Sequence, residues 1–435
     1  MNKRILNLAV PNIVSNITVP LLGIVDLAMM GHLGSVDYIG AIALGGMIFN
    51  FLYWGFGFLR MGTSGFTAQA YGRRSFSDSI HTLARALIVA FIGAAALIIL
   101  QFPIEKLTFW IIGSDKQVEE LARSYFYIRI WAAPATIGLY ALTGWFIGMQ
   151  NTRFPMLIAI LINIINIGLN VLFVYVFDMA SDGVALGTLL AQYSGLILAF
   201  YLFKRYYGKL YKYFQFKQIK NLQLFRVFLS VNKDIFIRTF CIIIVFTFFT
   251  SSSAAVNKHI LAINTLLLQL FFIYSYFVDG FAYAAEALTG RFVGAQNKSS
   301  LKLAIKKLFY WGWGIAAVFS LAYGFGWREI IGLMTNNKEL IADASDYAIW
   351  IGLIPILAFA SFLWDGIYIG ATASVQMRNS MLLATGVVFF PTYFLLQNSL
   401  GNHALWIALL GFLLVRGVAQ YIMAGKAVYQ KINTE

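Results

Sequence analysis

The sequence predicts an all-α polytopic membrane protein of about 12 transmembrane helices, in two six-helix bundles related by a pseudo-twofold axis along the membrane normal. Three observations carry this expectation. The first is composition: the 435 residues are 60% hydrophobic and only 11% charged, where soluble domains run to roughly 25% charged. A dozen spans of about 20 apolar residues need about 240 apolar positions, and 60% of 435 supplies them. The second is the pattern of long apolar runs, such as MLIAILINIINIGLNVLFVYVF, which lack the short alternation of barrel strands. The third is an internal repeat. Shifted by 222 positions, Thr67 and Gly72 fall on Thr289 and Gly294, Lys116 and Tyr125 on Lys338 and Tyr347, and Gly148 on Gly370. After a three-residue insertion, Arg153 and Met156 fall on Arg378 and Met381. The offset spans an even number of helices, so both halves should share one orientation. The expected division is a bundle over 1–208, a basic cytoplasmic linker over 209–226 and a second bundle over 227–435.

Taken in order, the first helix runs from Leu6 to Met30 behind Lys3 and Arg4. It has no small-residue cleavage site and is too long for a signal peptide, so it is expected to stay as a span. Pro11 and Pro20 each remove a backbone donor and can bend it, and Asp26 lies beyond them. Tyr38 to Tyr71 carries Arg60 and the small-residue run GTSG, which reads as close helix packing. Ile80 to Phe102 and Ser124 to Gly148 carry Arg85 and Arg129. Met156 to Phe177 places Asn163, Asn166 and Asn170 on one face, and Val184 to Tyr206 holds Thr188. In the second half, Phe228 to Thr250 carries Lys233, Asp234 and Arg238, with Asp234 expected near the interface. Ile260 to Gly290 carries Asp279, Tyr283 and Glu286 at i, i+4 and i+7 on one face. Leu303 to Phe325 follows. Ile341 to Ile369 holds Asp365 among aromatic residues, and Met381 to Gln397 and Ala404 to Met423, with Arg416, complete the set.

The formal charge of +14 is distributed by loop. One set of loops collects Lys3, Arg4, Arg73, Arg74, Arg153, the stretch Lys204 to Arg226, Arg291, Lys298, Lys302, Lys306, Lys307, Arg378, Lys426 and Lys431; the other holds only Lys106, Lys116, Arg123, Lys258, Arg328 and Lys338. Basic loops stay inside. Both termini are therefore expected in the cytoplasm of an inner-membrane, multi-pass protein, with lipid rather than nucleic acid as the surrounding partner. A single cysteine, Cys241, excludes a disulfide framework, and the scattered histidines offer no metal site. Gly183 and Gly187 lack any nucleotide-binding context, with no Walker sequence nearby. No catalytic residues, resident cofactor or metal are expected, and the chain is expected to act as a monomer.

A charge at the bilayer centre costs about 2.5 to 3.5 kcal/mol even on lenient scales, which directs attention to Asp26, Asp279, Glu286 and Asp365. Asp26 reads as a coupling-ion site or as a structural acid paired with an arginine. Asp279, Tyr283 and Glu286 read as a face for a cationic substrate or proton path, or as a buried ion-pair network with Arg238 or Arg291. The same two readings apply to Asp365. The three asparagines can coordinate a cation or hydrogen-bond a carboxylic acid, or serve as interhelical polar glue.

The stretches NITVPLLGIVDLAMMGHLG, FLRMGTSGFTAQAYG, DGFAYAAEALTG, DGIYIGAT, MRNSM and GNHALW resemble the DinF branch of the multidrug and toxic compound extrusion (MATE) family, in order and along essentially the whole chain. The resemblance implies two six-helix bundles and antiport of organic cations or drugs against H+ or Na+. By motif, Asp26 resembles the family's first-helix acid, implicated in cation coupling. Asn166, in NIGLN, resembles the asparagine of a fifth-helix N-I-x-L-D motif, and Thr188, in GTLLAQ, a threonine of the same polar cluster. The chain departs from the pattern at Asn170, where the family often has an aspartate, and at Leu22, where some relatives place a tyrosine. A two-carboxylate mechanism in the first bundle is thereby excluded.

The expectation is a secondary antiporter exporting amphipathic or cationic small molecules by alternating access, with Asp26, Asn166, Asn170 and Thr188 handling the ion. Asp279, Tyr283, Glu286 and Asp365 would line the substrate cavity or a second ion path. An alternative is a flippase for lipids or lipid-linked saccharides, whose cavity would need arginines; whether Arg60, Arg129 and Arg238 face a cavity or pair with acids separates the two. An intramembrane enzyme would need a nucleophile with its base, paired acids or a metal cluster, and only Asp279 with Glu286 resembles one.

Overall fold

The computed structural model describes residues 1–31, 36–113 and 115–432, with side chains except at 19, 21–22, 24–31 and 36. Eighteen α-helices follow one another: α1 Asn2–Gly31, α2 Val36–Trp54, α3 Gly57–Gly72, α4 Phe76–Ile99, α5 Gln101–Ile112, α6 Lys116–Arg129, α7 Ala133–Gly148, α8 Arg153–Val171, α9 Ser181–Tyr207, α10 Phe216–Ile219, α11 Leu222–Val256, α12 Lys258–Gly294, α13 Lys298–Gly332, α14 Lys338–Asp343, α15 Ala348–Gly370, α16 Ser374–Leu383, α17 Phe390–Leu400 and α18 His403–Ala427. Among the described residues, 11 helical stretches are long and apolar enough to cross a membrane, and the 30 residues of α1 precede them.

The helices differ from the apolar runs in ways with local causes. The run from Tyr38 to Tyr71 is two helices, α2 and α3, separated by a turn at Gly55 and Phe56. The run ending at Gly148 is broken by a 3-10 turn at Ile130–Ala132, with a proline in the first turn of α7. Several helices extend past their apolar runs because polar residues can continue a helix into water: α13 spans 35 residues and α11 starts at Leu222, inside the expected linker.

Contacts divide the chain into two units, 14–228 and 1–13 with 229–435. In the first unit α3 packs on α4 and α7, α8 on α9, and α6 on α2 and α9. Its core stacks Phe49 on Phe126, with ring centroids 5.4 Å apart. The basic segment after α9 folds back on α4. Gln215 donates its N–H to Nε2 of buried His81 at 2.9 Å, Arg85 donates to the Gln218 carbonyl at 3.0 Å, and Phe214 stacks on the imidazole. In the second unit α15 is central, packed by α12, α13 and α18. Along its outside, side chains such as Phe325 and Leu395 are about four-fifths exposed, as lipid-facing positions require.

The 222-residue repeat is written into helix ends and helix contacts. Arg74 and Gln296, and likewise Gln150 and Thr372, take positive φ values between 50° and 63°. At each of these four positions the following N–H bonds back five residues to close the helix: Ser75 to Ala70, Asn297 to Phe292, Asn151 to Phe146 and Ala373 to Tyr368. Helix starts repeat too. Ser75 and Asn297 cap α4 and α13, and Asp115 and Asn337 cap α6 and α14, each accepting a backbone N–H with its side-chain oxygen. The close helix crossings also recur. A Cβ on Gly144 would overlap the backbone of Arg60, and one on Gly366 the backbone of Ala282; one turn later, a Cβ on Gly148 would sit 2.8 Å from the Ser64 carbonyl, and one on Gly370 2.8 Å from the Gly290 nitrogen. GTSG and Gly290 are therefore the surfaces on which α7 and α15 approach α3 and α12.

Candidate functional site

The asparagine face predicted on the fifth span converges with Thr188. In α9, Thr188 donates its hydroxyl to the Val184 carbonyl at 2.9 Å, which directs the oxygen's lone pair toward α8. There it accepts from Asn166 Nδ2 at 3.0 Å, and Asn166 Oδ1 accepts from Asn170 Nδ2 at 3.1 Å. The result is a one-way hydrogen-bond chain from Asn170 through Asn166 and Thr188 to a backbone carbonyl, with all three side chains buried. Gly187 makes room for it, since any Cβ there would overlap the Asn170 amide oxygen. Asn163 stays apart and donates to the Ala159 carbonyl of its own helix at 2.9 Å. Immediately after Asn170 the chain winds into a five-residue π-helix, Leu172–Val176, a feature that often accompanies functional positions. Asp26 belongs to α1, but its side chain, like that of Leu22, lies outside the described residues.

The cluster carries no net charge. Amide and hydroxyl oxygens can accept from a protonated carboxyl or a hydrated cation, and an ordered donor chain fixes which oxygens point where. Replacing an aspartate by Asn170 keeps the shape of such a site and removes a charge.

In the second unit, the acids separate by environment. Glu286 is fully buried on α12, whereas Asp279 and Tyr283 are half-buried on the same helix. Asp365, on α15, is bound from two other helices. Arg238 of α11 pairs with one carboxylate oxygen, and Gln420 of α18 donates to the other at 2.6 Å. Arg416, one turn before Gln420, stands 3.8 Å from the carboxylate and donates to Ser361 at 2.7 Å. Its guanidinium also faces the rings of Phe362 and Phe412. One anion thus joins two cations in a buried set that ties α11, α15 and α18 together. Asp234, expected near the interface, is buried and accepts from Arg378 at 2.6 Å and Ser374 at 2.9 Å.

Of the arginines that an anionic cargo would require, Arg238 is paired with Asp365, and Arg129 donates to the Tyr125 hydroxyl with its guanidinium over the Phe49 ring.

The family model MatE matches residues 11–172 and again 235–395, one match in each half and 224 residues apart at their starts (235 − 11). The chain belongs to the MATE family. Among its relatives, DNA damage-inducible protein F of Escherichia coli (strain K12) is 37% identical over 96% of this chain and 91% of that protein. Protein DETOXIFICATION 44, chloroplastic, of Arabidopsis thaliana is 25% identical over 96% of this chain and 81% of that protein. An outward-facing MATE family transporter of the MOP superfamily superposes with a TM-score of 0.88 at 17% identity, covering 99% of this chain and 97% of that one. A MATE in the bent conformation gives 0.86 at 19% identity, covering 99% and 96%. The chain is a multi-pass membrane transporter and not an enzyme, with the helical two-bundle fold of the MATE family.

Within this MATE chain, the residues that sequence reasoning left unassigned are Ser361, Gln420 and Arg416 beside Asp365, whereas an ion pair of Asp365 with Arg238 stood as one of its two readings. They converge from helices far apart in the sequence, with |i−j| = 127 for Arg238 and Asp365 and 55 for Gln420 and Asp365. The one available signal was each arginine's position deep in an apolar run.

Proposed function

We propose that this MATE protein is a secondary antiporter that exports amphipathic or cationic compounds in exchange for H+ or Na+ by alternating access. The observation that carries the reading is the buried Asn170–Asn166–Thr188 chain in the first unit, a neutral oxygen-rich site of the kind that completes the shell of an ion held by a single carboxyl, Asp26. The printed names of relatives, which include multidrug resistance and toxin extrusion proteins, support the cargo class. Asp279 and Tyr283 would meet cargo in the second unit, with fully buried Glu286 behind them on the same helix and both termini in the cytoplasm. Loading Asp26 removes or compensates its charge, which changes the free energy of burying that part of α1; unloading reverses it. The pairing of Arg238 with Asp365 weighs against a flippase for anionic lipids. In vesicles, an imposed proton or sodium gradient at fixed voltage should accelerate efflux of a fluorescent organic cation; efflux indifferent to both gradients would overturn the proposal.

A further inference from the structure

A cavity of about 440 Å³ opens between the first turns of α13, the end of α15 and the end of α18, within the roughly 300 to 1,000 Å³ typical of ligand sites. Its floor is aromatic, with the ring centroids of Phe309 and Trp364 5.4 Å apart, and exposed Tyr421 stands at its edge 6.1 Å from Trp364. Its rim carries Lys302 and Lys306, both exposed, and Tyr429 closes one side. The lysines are one helical turn apart on the same face of α13, where like charges repel. Neither pairs with an acid among the described residues. The neighbouring outer surface is lipid-like in its demands, with Tyr310, Trp313, Tyr421 and Ile422 all more than half exposed.

We propose that this groove binds the phosphate headgroup of an anionic membrane phospholipid. The two ammonium groups, neither with an acid partner and that of Lys306 5.8 Å over the Tyr310 ring, would hold the phosphate, exposed Tyr421 would sit at headgroup level as amphipathic aromatics do, and the acyl chains would follow the exposed aromatic strip. Lys302 and Lys306 belong to the basic loop set, so the lipid would come from the cytoplasmic leaflet, where anionic lipid meets basic residues. A free phosphate would use the lysines and leave the aromatic floor idle.

The test uses the full-length protein in detergent, with fluorescent phosphatidylglycerol or phosphatidylcholine as the probe. Each lysine near an anionic headgroup contributes about fivefold in affinity, so K302Q/K306Q should weaken phosphatidylglycerol binding about 30-fold. It should leave phosphatidylcholine binding unchanged. A second variant plugs the groove without touching charge: an added Cβ at Gly425 meets no atom within 4 Å, so Gly425→Leu should fold and should lower phosphatidylglycerol binding. Substituting two linker lysines, K209Q/K212Q, should have no effect. Equal loss in K209Q/K212Q would show general charge attraction and overturn the proposal. So would unchanged binding in K302Q/K306Q and Gly425→Leu. Displacement of the lipid by millimolar inorganic phosphate alone would assign the groove to a free anion and overturn the lipid assignment.

Discussion

Removing the Asp365 carboxylate strands two buried cations, and the consequence can be worked from the geometry. In Asp365→Leu, Arg238 loses its ion pair, Gln420 loses an acceptor at 2.6 Å, and Arg416 loses an anion at 3.8 Å. A unit charge at about 4 Å and an effective dielectric constant near 20 contributes about 4 kcal/mol before desolvation. Breaking one partner out of a buried pair costs about 3 to 5 kcal/mol net. In a unit of roughly 200 residues, each kcal/mol shifts the melting temperature by about 2 to 4 °C, so the variant should melt roughly 6 to 20 °C lower. Asp365→Leu combined with Arg238→Leu removes one stranded cation together with the acid. It should recover part of the loss, with a coupling of about 1.5 to 3 kcal/mol. The assay is thermal unfolding of purified protein, followed by tryptophan fluorescence, in the four members of the cycle. Unchanged melting in Asp365→Leu, with transport abolished, would refute the structural assignment and make Asp365 a cargo or ion residue.

Other variants probe the rest of the account. Thr188→Val keeps shape but takes away the acceptor for Asn166 Nδ2; it should cost about 1 to 3 kcal/mol and raise the ion concentration needed for half-maximal transport, and wild-type values for both would contradict the cluster's role. Gly366→Ala and its repeat counterpart Gly144→Ala should each destabilise by about 1 to 3 kcal/mol through overpacking. Gly168→Ala, where an added Cβ meets nothing within 4 Å, should be neutral or gain up to about 1 kcal/mol; the same melting assay separates them. His81→Ala removes the acceptor that holds Gln215 and should speed tryptic cleavage at Lys209, Lys212 and Lys217 several-fold, with no change in rate counting against linker docking.

Much of the fold was legible because apolar length and a repeat are properties of the sequence alone. Thr67 and Thr289, and Gly148 and Gly370, align at the 222-residue offset and stand at equivalent close crossings of α3 with α7 and α12 with α15. The asparagine face was legible for the same reason, since spacings of three and four on one helix define a face before any packing is known. Its membership was not: Asn163 turns to its own backbone, a choice set by the partner helix rather than by spacing. The Asp365 set was half legible. The cost of burying a charge flagged Asp365, Arg238 and Arg416 and left an ion pair of Asp365 with Arg238 as one of two readings, but their convergence depends on how α11, α15 and α18 pack. The breaks between α2 and α3 and between α6 and α7 were missed because hydropathy does not register a one-turn change in backbone path.

Antiport through one carboxyl is tested most directly by efflux from vesicles under an imposed proton or sodium gradient, comparing wild type with Asp26→Asn at equal reconstituted amounts. The account predicts that gradient-driven efflux disappears in Asp26→Asn while binding of the fluorescent cation to purified protein persists. Undiminished gradient-driven efflux in that variant would contradict it.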